Sequence, residues 1–508
     1  MTEGEPDGGQ RLSFAGQSLL ISALFAVEAA ASFAVDIVVA AAFGLTAQAD
    51  ALLVAWALPL TIGRSVFQSL TKSFMGLFAG NRGGSRDYGP AILAVASLAF
   101  PGAALLSVTS AWWLPLTMPG AGAGTRALAV SLARTLSWLV AFLALAETTR
   151  AVYYREGRWA VPSLARLAGD VVAIGALWLA GRSDDPALAA WGLVAGAGLE
   201  GGLGLLGLHW WVTPRIEWRW PSRPEWREML NLVGAPMAGQ GVRTLAGVVE
   251  RAVASLLPVG TVAAVSHATR IIHAVERFVL GGFVISAIRS ESDGKDFDQR
   301  SAFRLVAWVG LWVAVVVVVL GQSLAHAAFA RGQFSSANAA TLATVLRSYG
   351  LTILGLAATR VPFALGYARK RPGVILGYFV TVSLGLIASL VVLVRLGFGL
   401  SSFGLSQAVG VWAAFGFLYL ALLRPHGDTF WTLVDSRQWL VGAVITLGGT
   451  WAVSSTLAAL VGRSSLGSWL HLVAGLGASV AFWALSAWVL GLREAIGFVG
   501  WAKGKLSR

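Results

Sequence analysis

Apolar runs long enough to cross a bilayer as a helix recur from one end of this sequence to the other, and they constrain the fold more than any other feature. A hydrocarbon core about 30 Å thick calls for about 20 such residues per helix, and Leu305 to Leu320, without a single charge, shows the pattern. A backbone immersed in lipid must satisfy its own hydrogen bonds, which only helices and closed barrels achieve. Barrel strands would alternate over segments of about ten residues; these runs do not. We place about fourteen spans, near 17–43, 48–79, 90–114, 127–153, 159–181, 187–212, 227–257, 262–289, 302–324, 338–367, 373–396, 399–423, 437–461 and 467–491. The reading is an all-α polytopic membrane protein.

Composition removes the soluble alternative. Hydrophobic residues make up 56% and charged residues 12%, where soluble domains carry about 25% charged residues. The formal charge of +13 would suggest a nucleic-acid partner on a soluble chain. Here the basic residues sit in short loops, where membrane topology demands them, so no nucleic acid is expected. With the N-terminus inside, 21 Lys and Arg fall in cytoplasmic segments and 5 on the opposite side. That asymmetry predicts both termini in the cytoplasm and an even number of spans. The polar, acidic stretch from Met1 to Gln10 lacks the basic start of a signal peptide, so the first apolar run is expected to stay as a helix. The absence of cysteine excludes disulfides and thiolate chemistry.

Span arithmetic divides the chain into a cytoplasmic tail at 1–16, an N-terminal lobe at 17–213, an interfacial cytoplasmic link at 214–228, a C-terminal lobe at 229–424, two extra spans at 425–492 and a basic tail at 493–508. Each lobe would hold six helices, as in two-lobed transporters. The link, rich in Arg and Trp and broken by Pro221 and Pro224, suits a membrane interface. Trp112–Trp113 and Trp210–Trp211 at span ends fit interfacial belts.

Ionisable groups within spans are costly and mark candidate sites. Arg243 and Glu250 share a helix face, seven residues apart, as do Arg270 and Arg277. Arginine presents a planar fork suited to phosphate, so Arg64, Arg243, Arg270 and Arg360 are candidate ligands for an anionic cargo. Arg270 lies about nine residues into its span, too deep to snorkel easily. Arg134, Arg251, Arg277 and Lys72 lie close enough to an interface to snorkel. Glu28, Asp36 and Glu250 are candidate coupling or cavity acids, although Glu250 also reads as a counter-ion to Arg243 or Arg251. Eight residues put Glu28 and Asp36 about 80° apart, which leaves a shared site open. Glu147 reads as a surface pair with Arg150 near a span end. His267 and His273 flank Arg270 without metal-ligand spacing and read as packing or interfacial residues; no metal and no cofactor is expected.

Four stretches carry a resemblance: Asp36 to Ala51 with Ala57-Leu-Pro59 and Arg64; Arg155 to Pro162; Val249 to Arg270; and Arg331-Gly-Gln-Phe with Gly366 to Pro372. In this order and spacing the chain resembles the bacterial lipid II flippase (MurJ/MviN) family, within the multidrug, oligosaccharidyl-lipid and polysaccharide exporter superfamily. The resemblance implies a fourteen-helix, two-lobed flippase of the bacterial cytoplasmic membrane. Its cargo would be an undecaprenyl-pyrophosphate-linked saccharide, lipid II or a related cell-envelope precursor, turned to the outer leaflet by alternating access without covalent chemistry. It would work as a monomer among membrane lipids, with Arg270 at a cavity-arginine position, Asp36 and Asp50 at acids of the first spans, and Arg360 at a basic position of span ten. The sequence departs from the family at Ala29, Val35 and Gly63, where arginines are usual, at Thr269, where an acid is, and at Thr381 and Ser383, where a sodium site would need an amide and an acid.

Two alternatives follow from the residues. An ion-coupled drug exporter of the same superfamily would favour acids such as Glu28 with Asp36. A polyprenyl-sugar glycosyltransferase or ligase would need a large external loop, and the longest one expected runs over about 14 residues, near 321–334.

Overall fold

The computed structural model describes residues 14–67, 88–156, 158–208, 216–276, 299–369, 371–424, 436–461 and 465–489. Among them every regular element is helical. The first group comprises α1 (Phe14–Phe43), α2 (Ala47–Leu60), α3 (Tyr88–Val108), α4 (Ser110–Thr117), α5 (Ala123–Leu136), α6 (Leu139–Arg155), α7 (Ala160–Ser183) and α8 (Pro186–Gly207). The second comprises α9 (Arg223–Ala254), α10 (Thr261–Val275), α11 (Gln299–Phe329), α12 (Ser336–Ser348), α13 (Gly350–Ala368), α14 (Pro372–Arg395) and α15 (Ser401–Leu418), followed by α16 (Ser436–Val461) and α17 (Ser465–Val489).

Local chemistry sets several of these boundaries. Asp185 accepts from the Ala187 amide and precedes Pro186, which has no amide to leave unpaired at the start of α8. Ser222 and Glu225 form a capping box that starts α9. Pro59 lies in the last turn of α2, and the chain continues as a π-helical turn over Thr61–Val66 that carries Arg64. Such turns accommodate a break in the regular hydrogen-bond ladder and often sit at functional positions.

Packing separates two bundles. In the first, α7 lies against α8 and α1, α6 against α8 and α3, and α2 against α5. In the second, α14 packs on α9 and α15, α11 on α12 and α13, and α10 on α12. Helices α16 and α17 dock on α11. Trp483 donates to the Trp308 carbonyl at 3.1 Å, Trp312 to Ser479 at 3.0 Å, and His471 bridges Ser323 and Ser454 at 2.9 Å each. In lipid these polar contacts supply part of the adhesion that apolar surface alone cannot provide.

Among the described residues nine helical segments are long and apolar enough to cross a membrane, α5 and α6 counting together as one, or ten if α12 and α13, bent by 41°, also count as one. The four remaining expected spans correspond to α1, α2, α9 and α10, which meet across the bundle interface. The loop expected near 321–334 is shorter: α11 continues to Phe329 and only six residues precede α12.

The bundles are joined at the end where α1 turns into α2. The Gln333 amide donates to the Ala41 carbonyl at 2.9 Å, and the Gly120 amide to Ser255 at 3.2 Å. Gly44 (φ +61°) and Gly332 (φ +59°) allow this approach: a Cβ on Gly44 would lie 2.7 Å from the Gln333 carbonyl oxygen, and one on Gly332 would collide with Ala41.

Candidate anion site between the two bundles

Arg270 leaves α10 about 14 Å from its first residue, at 1.5 Å per residue, and so lies near mid-span. Its Nη1 donates to the Asp36 carboxylate of α1, and its guanidinium carbon lies 3.8 Å from the centroid of the Trp56 ring of α2. One cation of the second bundle is thus held edge-on and face-on by two residues of the first. Neighbouring Thr269 hydrogen-bonds to Tyr349 at 3.1 Å.

Asp50 fixes the helix that presents Arg270. Its two carboxylate oxygens accept from the amides of Gly260 and Ala263, each at 2.8 Å, across the bundle interface. These are otherwise orphan donors at the start of α10, and the negative charge suits the positive end of the helix dipole.

Arg64 has a different environment. It forms a two-pronged bond to Glu200 at 2.8 and 2.6 Å and approaches Glu147 at 3.6 Å. Arg150 joins Glu200 to Glu28, at 3.3 Å each, and Arg166 reaches Glu28 at 3.1 Å, Ser32 at 2.7 Å and Asp170 at 3.9 Å. This buried network unites α1, the π-helical turn after α2, α6, α7 and α8. Glu147 and Arg150, read from sequence as a surface pair, are 2% and 5% exposed. Proximity to a span end had suggested water, but α3, α7 and α8 cover that face of α6.

Arg360 pairs with Glu276, which also bonds His273 at 3.0 Å. Glu250 is buried, with the Gln407 amide at 3.5 Å from one of its oxygens. Arg243 lies close enough to Glu250 to act on it electrostatically. Arg251 bonds the Gly247 carbonyl at 2.8 Å, one turn back along its own helix. His267 is fully buried between Phe329 and Phe334, a packing role. No cluster of three metal-ligating side chains occurs among the described residues. Lys72, Arg277 and Trp210–Trp211 lie outside the described residues.

The sequence reading named Arg64 and Arg270 as candidate ligands of one anionic cargo, and the structure gives them separate partners. It separates Glu28 and Asp36 as well, the first into the network and the second onto Arg270. Trp56, Arg166 and Glu200 were not singled out as site residues. Glu200, Arg166 and Asp170, charges within apolar runs, carried the only signal for the network; Trp56 carried none among 22 tryptophans. Two of the departures from the family pattern have local reasons. Gly63 lies against α6, where a Cβ would come 2.9 Å from Leu143, and Val35 is 5% exposed in the core.

Two helical bundles that meet over mid-membrane charges define a multi-pass membrane transporter. The lipid II flippase MurJ family model matches residues 39–472, and the chain belongs to that family, one of flippases and not of enzymes. No curated protein matches the sequence. Among solved structures, a lipid II flippase MurJ in an inward closed conformation superposes with a TM-score of 0.77 at 15% identity, covering 93% of this chain and 99% of that one. An inward-facing multidrug resistance MATE family transporter of the MOP superfamily gives 0.64 at 14%, covering 80% and 98%. A MOP superfamily transporter from Pyrococcus furiosus gives 0.59 at 14%, covering 82% and 97%. These likenesses are of fold.

Proposed function

We propose that the chain moves an undecaprenyl-pyrophosphate-linked saccharide, lipid II or a related envelope precursor, from the inner to the outer leaflet of a bacterial cytoplasmic membrane, by alternating access of its two bundles. The observation that carries this reading is Arg270, an arginine near mid-span whose fork already holds an oxyanion supplied by the other bundle. A guanidinium that binds a carboxylate in this setting offers the same donors to a phosphate. Arg243, five turns from the start of α9 and close enough to Glu250 to act on its charge, is the second cargo ligand. In this reading fourteen helices cross the membrane, both termini face the cytoplasm, and the α1–α2 end, bridged by Asp50 and Gln333, is the outer gate in its closed state. The chain works as a monomer, and Arg64 and Arg360 act through their acid partners.

The test is a flipping assay in liposomes on an undecaprenyl-pyrophosphate sugar. Arg270→Ala should abolish transport at unchanged protein level, and Arg270→Lys, which keeps the charge but loses the fork, should retain part of it. Transport by Arg270→Ala at the parental rate would refute the reading. An ion-coupled drug exporter is the second reading, favoured by one observation: Glu250, a buried acid whose Oε1 meets no hydrogen-bond donor among the described residues. Dye efflux driven by a proton or sodium gradient, lost in Glu250→Gln, would support it instead.

A further inference from the structure

The two bundles repeat one arrangement away from the interface between them. The span formed by α5 and α6 breaks after Leu136, and the span formed by α12 and α13 breaks after Ser348. Arg134 and Arg347 each stand eleven residues beyond the first residue of the leading helix, Ala123 and Ser336. Both arginines are exposed, and one turn before each lies an exposed hydroxyl on the same face, Ser131 or Thr344. Both leading helices start at the joined end of the bundles, because Gly120 and Gln333, which make the bridging bonds, just precede them. The broken spans run over 123–155 and 336–368, about 50 Å at 1.5 Å per residue, and so overshoot a 30 Å core by about 10 Å at each end when centred. Arg134 and Arg347, about 16 Å from their starts, then sit about 6 Å inside the core, and their long side chains reach back to the level of the headgroup phosphates. An exposed tryptophan marks that level on each bundle: Trp112 of α4, which packs on α5, and Trp412 of α15, whose indole donates to the Leu351 carbonyl at 3.1 Å.

We propose that each bundle holds an anionic phospholipid of the leaflet at the joined end by its phosphate, through Arg134 with Ser131 on the first and Arg347 with Thr344 on the second. The inference is independent of the cargo and of the site at Arg270.

The reason is charge complementarity that the protein leaves unmet. Helices α3, α4 and α5 contain no Asp or Glu, and the acids on the other elements packed against α5 are engaged elsewhere: Asp50 of α2 with the start of α10, Glu200 of α8 with Arg64 and Arg150. Around α12, helices α10, α11, α13 and α15 contain none either. Arg347 meets only a neutral acceptor, Gln322 of α11 at 3.3 Å, and that exposed amide has donors of its own to offer an oxyanion. Ser131 and Thr344 now donate to carbonyls of their own helices, at 2.7 and 3.1 Å, and each hydroxyl can rotate from there onto a phosphate oxygen beside the guanidinium. A zwitterionic lipid brings its own cation to a place with no acid to receive it. A lipid with net negative charge brings only the phosphate, so the two arginines favour it.

The experiment is native mass spectrometry of the full chain in detergent, titrated separately with phosphatidylglycerol, phosphatidylcholine and undecaprenyl pyrophosphate. The parent should bind two phosphatidylglycerol molecules about fivefold more tightly than phosphatidylcholine, the scale of one basic residue at a lipid surface. Arg134→Gln and Arg347→Gln should each remove that advantage from one molecule and the double variant from both, with phosphatidylcholine binding unchanged. Ser131→Asp with Thr344→Asp keeps the arginines and gives each a carboxylate one turn away; it should lose the preference as well, a test that stands if the glutamine variants do not fold. The inference is overturned if the parent binds the two phospholipids alike, or if either double variant keeps the parental preference. It is also overturned if the double glutamine variant loses affinity for undecaprenyl pyrophosphate and not for phosphatidylglycerol, because the arginines then serve a diphosphate lipid.

Discussion

Arg64 and Glu200 meet fork to fork inside the first bundle, with guanidinium donors 2.8 and 2.6 Å from the two carboxylate oxygens. Removing one partner of a buried pair leaves an uncompensated charge and typically costs about 3–5 kcal/mol. Glu200→Ala should therefore lower the thermal unfolding temperature of the purified protein clearly, because it removes the two-pronged partner of Arg64 and one of the two acids that hold Arg150. The double change Arg64→Met with Glu200→Met should recover part of that loss. A double variant as unstable as the sum of the singles would show that the pair has no mutual dependence.

Asp50 ties α2 to the start of α10 through two amide bonds. Asp50→Ala should expose those amides at a cost of about 2 kcal/mol. Hydrogen exchange at Gly260 and Ala263 should then speed up by tenfold or more, with α7 unchanged. Parental exchange rates at both amides would refute the cap.

Gly332 is required by a left-handed backbone that presses on Ala41. Gly332→Val should separate the bundles at this end, since strain of this kind costs about 1–3 kcal/mol. Spin labels on Gln48→Cys and Ala337→Cys, introduced into a chain without native cysteines, should show a longer distance in the valine variant. An unchanged distance would mean that the closure does not depend on this contact.

At the link, two hydrogen bonds from Arg219 and one from the Ser222 amide hold the Glu225 carboxyl at about 2, below its ordinary 4.5. A depressed carboxyl contributes stability above its ordinary value and loses it as pH falls through the folded value, so the link loosens between about 4.5 and about 2. Carboxyl NMR of labelled Glu225 should titrate near the lower figure in the parent and move up in Arg219→Ala. Coincident midpoints would rule out this pairing in solution.

The charge asymmetry predicts the link inside and the α11–α12 loop outside. Trp218→Cys and Ala337→Cys avoid caps and tight contacts, and both positions are exposed. An impermeant thiol reagent on intact cells should label Ala337→Cys alone. Labelling of Trp218→Cys alone would invert the topology.

Sequence by itself determined that the chain is helical and membrane-embedded, because twenty-residue apolar runs have few other stable states in lipid, and the ordered motifs determined the family. It also pointed to Arg270, because a mid-span arginine needs a reason. It did not determine partners. Asp36 and Arg270 are 234 residues apart and Arg64 and Glu200 136 apart, and one-dimensional spacing describes a single helix, not which helices cross. Helical phase set Glu28 and Asp36 about 80° apart; only packing sent one into the network of α6, α7 and α8 and the other to α10. The same holds for Glu147, whose distance from a span end suggested solvent until its neighbours buried it. Ion pairing in a low-dielectric interior is decided by which charges the tertiary fold brings within about 4 Å, and that is information the linear pattern does not contain.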